Sequence, residues 1–159
     1  MAKHVEGPIG IVPALVRSTF LVNGAYADAA RERGLTPQQG QLLCVLMQQP
    51  FGMGELSAML GLAKSSLTGL VDRTERNGLV RRESDARDTR AVRVALTDGG
   101  AVLAEEFYMD ACRRIDDLAA GLGAAERETL AALLGRVVTD NEAPVVFREP
   151  AEGVAASEG

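Results

Sequence analysis

Apolar residues recur at helical spacing along most of the chain and predict six helices. In the first helix Pro13 suits the first turn, and Thr36-Pro37-Gln38-Gln39 forms a capping box at the start of the second. Pro50 ends the second helix, and Thr97 caps the fifth. The predicted helices cover residues 8–33, 36–49, 54–62, 63–77, 97–120 and 124–139.

Two short strands are predicted after the fourth helix, over residues 79–83 and 91–96, joined by a polar turn at 84–90. The third and fourth helices are separated only by a short turn that contains Gly61. Two helices joined in this way form a helix-turn-helix. The pattern therefore predicts a mainly α protein with a small β-hairpin wing, a winged helix-turn-helix.

The fourth helix has a surface suited to the DNA major groove. Leu67, Leu70, Val71 and Thr74 share its inner face, and the other faces have no bulky apolar group. Hydroxyls can contact base edges and phosphates, cations neutralise phosphate charge, and Gly69 would allow close approach. The outer polar residues are Lys64, Ser65, Ser66, Thr68, Asp72 and Arg73.

The stretch ELSAMLGLAKSSLTGLVDRTERNGLVRRESDARDTRAVRVALTDGG, residues 55–100, resembles the MarR family of bacterial transcription regulators. The motifs are the LGL turn, the S-x-L-T-x-L-V-D-R helix, N-G-L-V-R-R, the D-x-x-D-x-R wing and L-T-x-x-G. The resemblance implies that Arg90 enters the minor groove, with Asp88 orienting it and Arg87 contacting a phosphate. Ala63 and Gly52 stand where family members usually have a capping side chain, and each departure weakens the start of its helix by about 1 kcal/mol. The wing also lacks the Pro that usually follows the residue at Asp85.

Apolar stripes at both ends of the chain have no obvious partner within one monomer. We expect the terminal helices to meet their symmetry mates, and the resemblance implies the same obligate-type homodimer. The predicted division is an N-terminal dimerisation helix (1–34), a winged lobe (35–96), C-terminal dimerisation helices (97–140) and a mobile tail (141–159).

Charge is distributed unevenly along the chain. The net charge is −5, but residues 61–96 hold eight cations and five anions, a balance of +3, which leaves −8 for the remainder. A local basic surface is compatible with DNA because phosphate contacts act within a Debye length of about 10 Å. Apolar runs are shorter than the 18 or so residues of a membrane span, and we expect a cytoplasmic protein.

Catalytic and metal chemistry find little support. The only histidine, His4, has no recognisable acid or nucleophile around it, and two isolated cysteines form no ligand cluster. We therefore expect no enzyme, no cofactor and no metal. Cys44 lies among apolar residues, whereas Cys112 is followed by two arginines and is the better candidate for redox sensing.

Arg17 and Phe20 on the first helix are the candidate effector site. In family members that bind aromatic carboxylates, a cation on this helix faces the cleft between dimer core and winged lobe, and Arg binds carboxylate with two hydrogen bonds. The favoured hypothesis is a dimeric repressor on a pseudo-palindromic duplex DNA operator, released by a small, anionic aromatic ligand. The alternatives are a metabolite sensor without DNA recognition, a redox regulator acting through Cys112, and a winged helix that binds only proteins.

Overall fold

The computed structural model describes residues 7–147, which form six α-helices and three short strands. Their order matches the predicted order of helices and hairpin. The elements are α1 (Ile11–Arg31), α2 (Pro37–Leu46), β1 (Phe51–Gly52), α3 (Met53–Leu60), α4 (Lys64–Arg76), β2 (Val80–Ser84), β3 (Val92–Leu96), α5 (Asp98–Leu118) and α6 (Ala124–Asp140).

Side chains satisfy free backbone groups at several helix starts. The capping box of α2 is confirmed: Thr36 Oγ1 accepts the Gln39 N–H at 3.1 Å, and Gln39 Oε1 accepts the Thr36 N–H at 3.0 Å. Ala63 gives α4 no side-chain cap, as predicted. At α3 the Glu55 carboxylate accepts the Gly52 N–H at 2.9 Å, which partly offsets the missing cap.

The predicted hairpin is confirmed, with a third strand added to it. The sheet is antiparallel in the order β1-β3-β2, and Val80 pairs with Leu96. The two-residue β1 was not predicted, because it is too short to show alternation. The second helix ends at Leu46 rather than at residue 49. Residues 47 and 48 form a turn in which the Gln48 N–H donates to the Val45 carbonyl at 3.3 Å, and Pro50 disfavours helical geometry at residue 49.

One apolar core joins the C-terminal end of α1, α2, α4 and α5. Phe107 of α5 is fully buried and packs against Gly40 of α2, where a Cβ would lie 2.5 Å from the ring. Only glycine therefore lets α2 and α5 approach this closely. The winged lobe is thus packed directly on the helix that follows the wing.

A partly buried carboxylate links the turn after α1 to α5. Asp110 accepts hydrogen bonds from Arg33 at 2.9 Å, Arg113 at 2.6 Å and Arg114 at 3.1 Å. Burial alone would raise the pKa of Asp110, but the three guanidinium groups outweigh it and lower the pKa to about 2. This charged cluster therefore adds to the apolar packing between the end of α1 and α5.

The terminal helices expose large apolar side chains. No residue of α6 is buried, and Leu133 is 53% exposed. On α1, Phe20 is 72% exposed and Val16 is 52% exposed. These are the stripes for which the sequence predicted a partner subunit. No helix within residues 7–147 is both long and apolar enough to span a bilayer.

Candidate nucleic-acid interface

The inner face of α4 orients the helix. Leu67, Leu70, Val71 and Thr74 are all buried, as predicted. The Thr74 hydroxyl donates to the Leu70 carbonyl at 2.7 Å and lies 3.4 Å from Gln39 Nε2 of α2. A buried polar contact of this kind restricts rotation of α4 about its axis, so its opposite face has one fixed direction.

The outer face of α4 carries the predicted polar residues in exposed positions: Lys64, Ser65, Ser66, Thr68, Asp72 and Arg73. The Thr68 hydroxyl donates to the Lys64 carbonyl at 2.9 Å, so towards a base it is available chiefly as an acceptor. For Ser65 and Ser66 no hydrogen bond is found to any described residue. These two hydroxyls keep both donor and acceptor capacity for a ligand.

Gly69 provides room for an arginine on the same face. A Cβ at Gly69 would lie 3.3 Å from Arg73 Nη1, which places the guanidinium back along the helix surface. Arg73 is exposed, so its flexible side chain can move aside, and this contact alone does not require glycine at position 69. The sequence hypothesis that Gly69 allows close approach to DNA stays a prediction.

Arg82 joins the wing to α4, a role that the sequence did not predict. Its guanidinium donates to Asp72 at 2.6 Å and to Glu75 at 2.8 Å. The hydrogen bond to Asp72 is the largest cause of a raised pKa at Arg82, with Glu75 adding to it. Arg82 was counted as one of the local cations, but its charge is used to hold β2 against α4.

Two aspartates shape the turn of the wing. The Asp88 carboxylate accepts the backbone N–H of Arg90 at 3.0 Å, and the Asp85 carboxylate accepts the backbone N–H of Arg87 at 2.9 Å. Asp88 was predicted to hold Arg90, and the bond found here is to its main chain rather than its guanidinium. The side chains of Arg87 and Arg90 are exposed.

Ion pairs divide the eight cations of residues 61–96 into two groups. Arg82 is paired as described, while Arg81 and Arg93 lie 3.4 Å and 3.9 Å from the carboxylate of Glu83. Among the described residues no carboxylate pairs with the other five, and all five are exposed. They are Lys64, Arg73, Arg76, Arg87 and Arg90.

A second feature is an open, mainly apolar cavity of about 750 Å³ between α1 and α5, whose lining includes Tyr26, Tyr108, Cys112 and Phe147. Burial is the main cause that raises the pKa of Tyr26 to about 12. Arg17 and Phe20, the predicted effector site, do not line this cavity, and both are exposed on α1.

The thiols differ in their surroundings. Burial is the main cause that raises the pKa of Cys44 to about 12, so this thiol is protonated and unreactive at neutral pH, as its apolar neighbours predicted. Cys112 is half-buried and faces the cavity. Within residues 7–147 no three His, Cys, Asp or Glu side chains are grouped as metal ligands, and His4 lies outside the described residues.

Comparisons with known proteins agree with this geometry. Residues 33–91 match the model of the MarR family. The uncharacterised HTH-type transcriptional regulator YkoM of Bacillus subtilis is 31% identical over 133 residues, 83% of this chain and 86% of YkoM. The HTH-type transcriptional repressor NicR of Pseudomonas putida is 32% identical over 119 residues, 74% of this chain and 75% of NicR.

A solved structure is similar over nearly the whole fold. The apo form of Escherichia coli MarR superposes with a TM-score of 0.73 at 25% sequence identity. The superposition covers 83% of this chain and 99% of the other. The likeness therefore includes the terminal helices as well as the winged lobe.

Proposed function

The chain belongs to the MarR family of transcription regulators, and from that premise we propose that it is a homodimeric repressor that binds a pseudo-palindromic DNA operator. The observation that carries the proposal is the outer face of α4, where exposed hydroxyls stand beside unpaired cations on a rigidly oriented helix. The wing, which Arg82 holds against α4, supplies two more exposed arginines, Arg87 and Arg90. Such a surface matches the chemistry of a DNA groove.

The dimer follows from the exposed apolar faces. Val16 on α1 and Leu133 on α6 expose apolar area that a second copy can bury. A two-fold dimer presents two copies of α4, which requires half-sites about one helical turn apart, some 34–36 Å. Residues 1–34 and 97–140 would then form the dimer body, and residues 35–96 would contact DNA.

The contacts divide into two classes. Ser65, Ser66 and Thr68 lie near base edges in the major groove, while Lys64 and Arg73 contact phosphates. Arg90 enters the minor groove, where the negative potential at narrow A·T-rich steps attracts a guanidinium. Arg87 contacts a neighbouring phosphate. Ser65 and Ser66 are best suited to base contacts, since their hydroxyls have no partner among the described residues.

Release by a small anionic aromatic ligand is the second part of the proposal. Such a ligand lowers DNA affinity only if it binds the DNA-free form better. Arg17 and Phe20 are exposed on α1, so they reach a ligand where the partner subunit or the winged lobe closes over that helix. The guanidinium of Arg17 would then meet the carboxylate.

The division of contacts is tested with Ser66→Ala and Lys64→Ala on an operator selected from random duplexes. Ser66→Ala is expected to weaken operator binding by about 1–3 kcal/mol and to leave binding to random DNA unchanged. Lys64→Ala is expected to weaken both and to reduce the salt slope by about 1. Equal losses on both duplexes for the two variants would contradict the proposed contacts.

The wing is tested with Asp88→Ala and its matched control Asp88→Asn. Both remove a negative charge near phosphates, so electrostatics alone predicts tighter binding for both. Asn keeps an oxygen that can accept the Arg90 N–H, whereas Ala does not. We expect Asp88→Ala to bind DNA more weakly than both wild type and Asp88→Asn. Binding by Asp88→Ala that is tighter than wild type would refute the orienting role.

Arg90→Ala should lower DNA affinity more than Arg87→Ala does, and the difference should be largest on operators with A·T-rich flanks.

A further inference from the structure

The inner face of the β2–β3 hairpin becomes more exposed from its base towards its turn. Side chains on one face of a strand recur at every second residue, and at the base of this face Val80 is buried. Arg82 follows, opposite the buried Val94, and one pair further along Ser84 and Val92 are both exposed. Among the described residues, Arg82 is therefore the last side chain on this face of β2 that is hydrogen-bonded to α4.

The guanidinium of Arg82 binds two carboxylates of α4 with separate nitrogens. Nη2 donates to Asp72 and Nη1 donates to Glu75, and these residues are three apart and so lie on the same side of the helix. A planar guanidinium bonded at two points is held at one angle to the helix, which a single ammonium group would not be. Arg82 thus limits the angle between α4 and the hairpin.

These ion pairs are too exposed to serve folding alone. The side chains of Arg82, Asp72 and Glu75 are 31%, 49% and 42% exposed. Pairs this exposed contribute little to the free energy of folding, because water screens the charges and the long side chains lose freedom. The base of the hairpin is anchored without Arg82, since Val80 and Val94 belong to the apolar core. The position of the wing is therefore the better explanation for this arginine.

The length of the wing amplifies any change of angle at Arg82. A strand rises about 3.3 Å per residue, so residue 87 in the turn lies up to about 17 Å beyond Arg82. A tilt of about 10° then displaces the turn by about 3 Å, which is half of the minor groove's width of about 6 Å. A displacement of that size takes a guanidinium at the turn out of the groove that it must enter.

We propose that Arg82 is a positioning residue for DNA recognition, which fixes the wing relative to α4 through Asp72 and Glu75 so that both elements reach their grooves together. The preference for A·T-rich flanks, which depends on Arg90 in the minor groove, is then set in part by a residue that does not itself contact DNA. The DNA part of this inference rests on the proposed function, whereas the fixed wing of the DNA-free protein does not.

The test compares Arg82→Gln with Arg81→Gln on the same strand. Both variants remove one positive charge, but Arg81 lies on the opposite face and pairs with Glu83 rather than with α4. Each full-length variant is titrated on two operators that differ only in A·T-rich or G·C-rich flanks. Arg81→Gln should weaken binding to both operators by the same factor. Arg82→Gln should in addition lose the preference for A·T-rich flanks to the same extent as Arg90→Ala, and the double variant of Arg82→Gln and Arg90→Ala should lose no more of it.

Two further variants separate position from charge. Arg82→Lys keeps the charge but not the two-point contact, so its preference for A·T-rich flanks should be intermediate. The double variant Asp72→Asn, Glu75→Gln removes two negative charges near DNA, so electrostatics alone predicts tighter binding with the preference intact. We expect it to lose that preference, and a wild-type preference in this variant or in Arg82→Gln would overturn the positioning role.

A separate arm examines the full chain without DNA. Amide order parameters and relaxation dispersion of residues 85–90 report motion of the wing on the ps–ns and μs–ms timescales. The wing should be more mobile in Arg82→Gln than in Arg81→Gln and wild type, and equal mobility in the three proteins would overturn the fixed wing. A wild-type protein that binds no DNA would refute the proposed function, while the relaxation result would still decide whether Arg82 holds the wing.

Discussion

The contact between the wing and α5 allows a sharp prediction at Gly100. This glycine is buried in the first turn of α5, where a Cβ would lie 1.8 Å from the Leu79 carbonyl oxygen and 2.8 Å from its carbon. The obstacle is main chain rather than a flexible side chain. The same carbonyl also accepts the Thr97 N–H at 3.1 Å, so it cannot withdraw without loss of that bond.

Gly100→Ala is therefore expected to destabilise the protein. Relief of the clash requires a backbone shift of more than about 1 Å, and overpacking of this kind costs about 1–3 kcal/mol or more. Alanine's better helix propensity returns at most about 1 kcal/mol. We expect a net loss of about 2 kcal/mol in the free energy of unfolding.

Gly99→Ala is the matched control one residue earlier. Its Cβ would approach nothing closer than 4.0 Å, so only the gain in helix propensity remains, up to about 1 kcal/mol. Urea unfolding at one fixed protein concentration measures both variants, because the stability of a dimer depends on concentration. Opposite shifts of the two midpoints are expected, and a wild-type midpoint for Gly100→Ala would refute this account of the contact.

Three further predictions concern stability and assembly. Ala63→Ser gives α4 the cap that it lacks and should raise the free energy of unfolding by about 1 kcal/mol in the same urea assay, whereas no gain would contradict the capping argument. The folded-state pKa of Asp110, about 2, lies below its ordinary value of 3.8, so its stabilising contribution is present above pH 4 and lost as pH falls from 4 towards 2. Asp110→Asn should flatten that part of a stability–pH profile, and an unchanged profile would show that other carboxylates cause it. Leu133→Glu places a charge on the exposed apolar face of α6 and should shift sedimentation towards monomer, and a wild-type distribution would exclude this face from the interface.

The sequence predicted those features of the fold that depend on local patterns. Thr36 and Gln39 are close in the chain, and the inner face of α4 repeats at helical spacing, so both could be inferred without coordinates. The strand at Phe51 could not, because two residues show no period and the strand exists only through its pairing with Val94.

The candidate site was predicted as a list of side chains rather than as an arrangement. The partners of Arg82 lie seven and ten residues away on another element, and nothing in the local pattern distinguishes this arginine from Arg81. Phe147 was placed in the predicted tail at 141–159 because that segment is polar and rich in small residues. Phe147 instead packs against Tyr26 of α1 and Tyr108 of α5, which are distant in the chain, while residues 148–159 lie outside the described part.

The most direct test of the account is a binding titration of the full chain on a selected operator and on a shuffled duplex of equal length and composition. If α4 and the wing recognise a DNA sequence, operator binding is at least about 10³-fold tighter than binding to the shuffled duplex, and affinity for both falls as salt rises. Equal affinity for the two duplexes, or no binding to either at low salt, would contradict the claim that α4 and the wing recognise a DNA sequence.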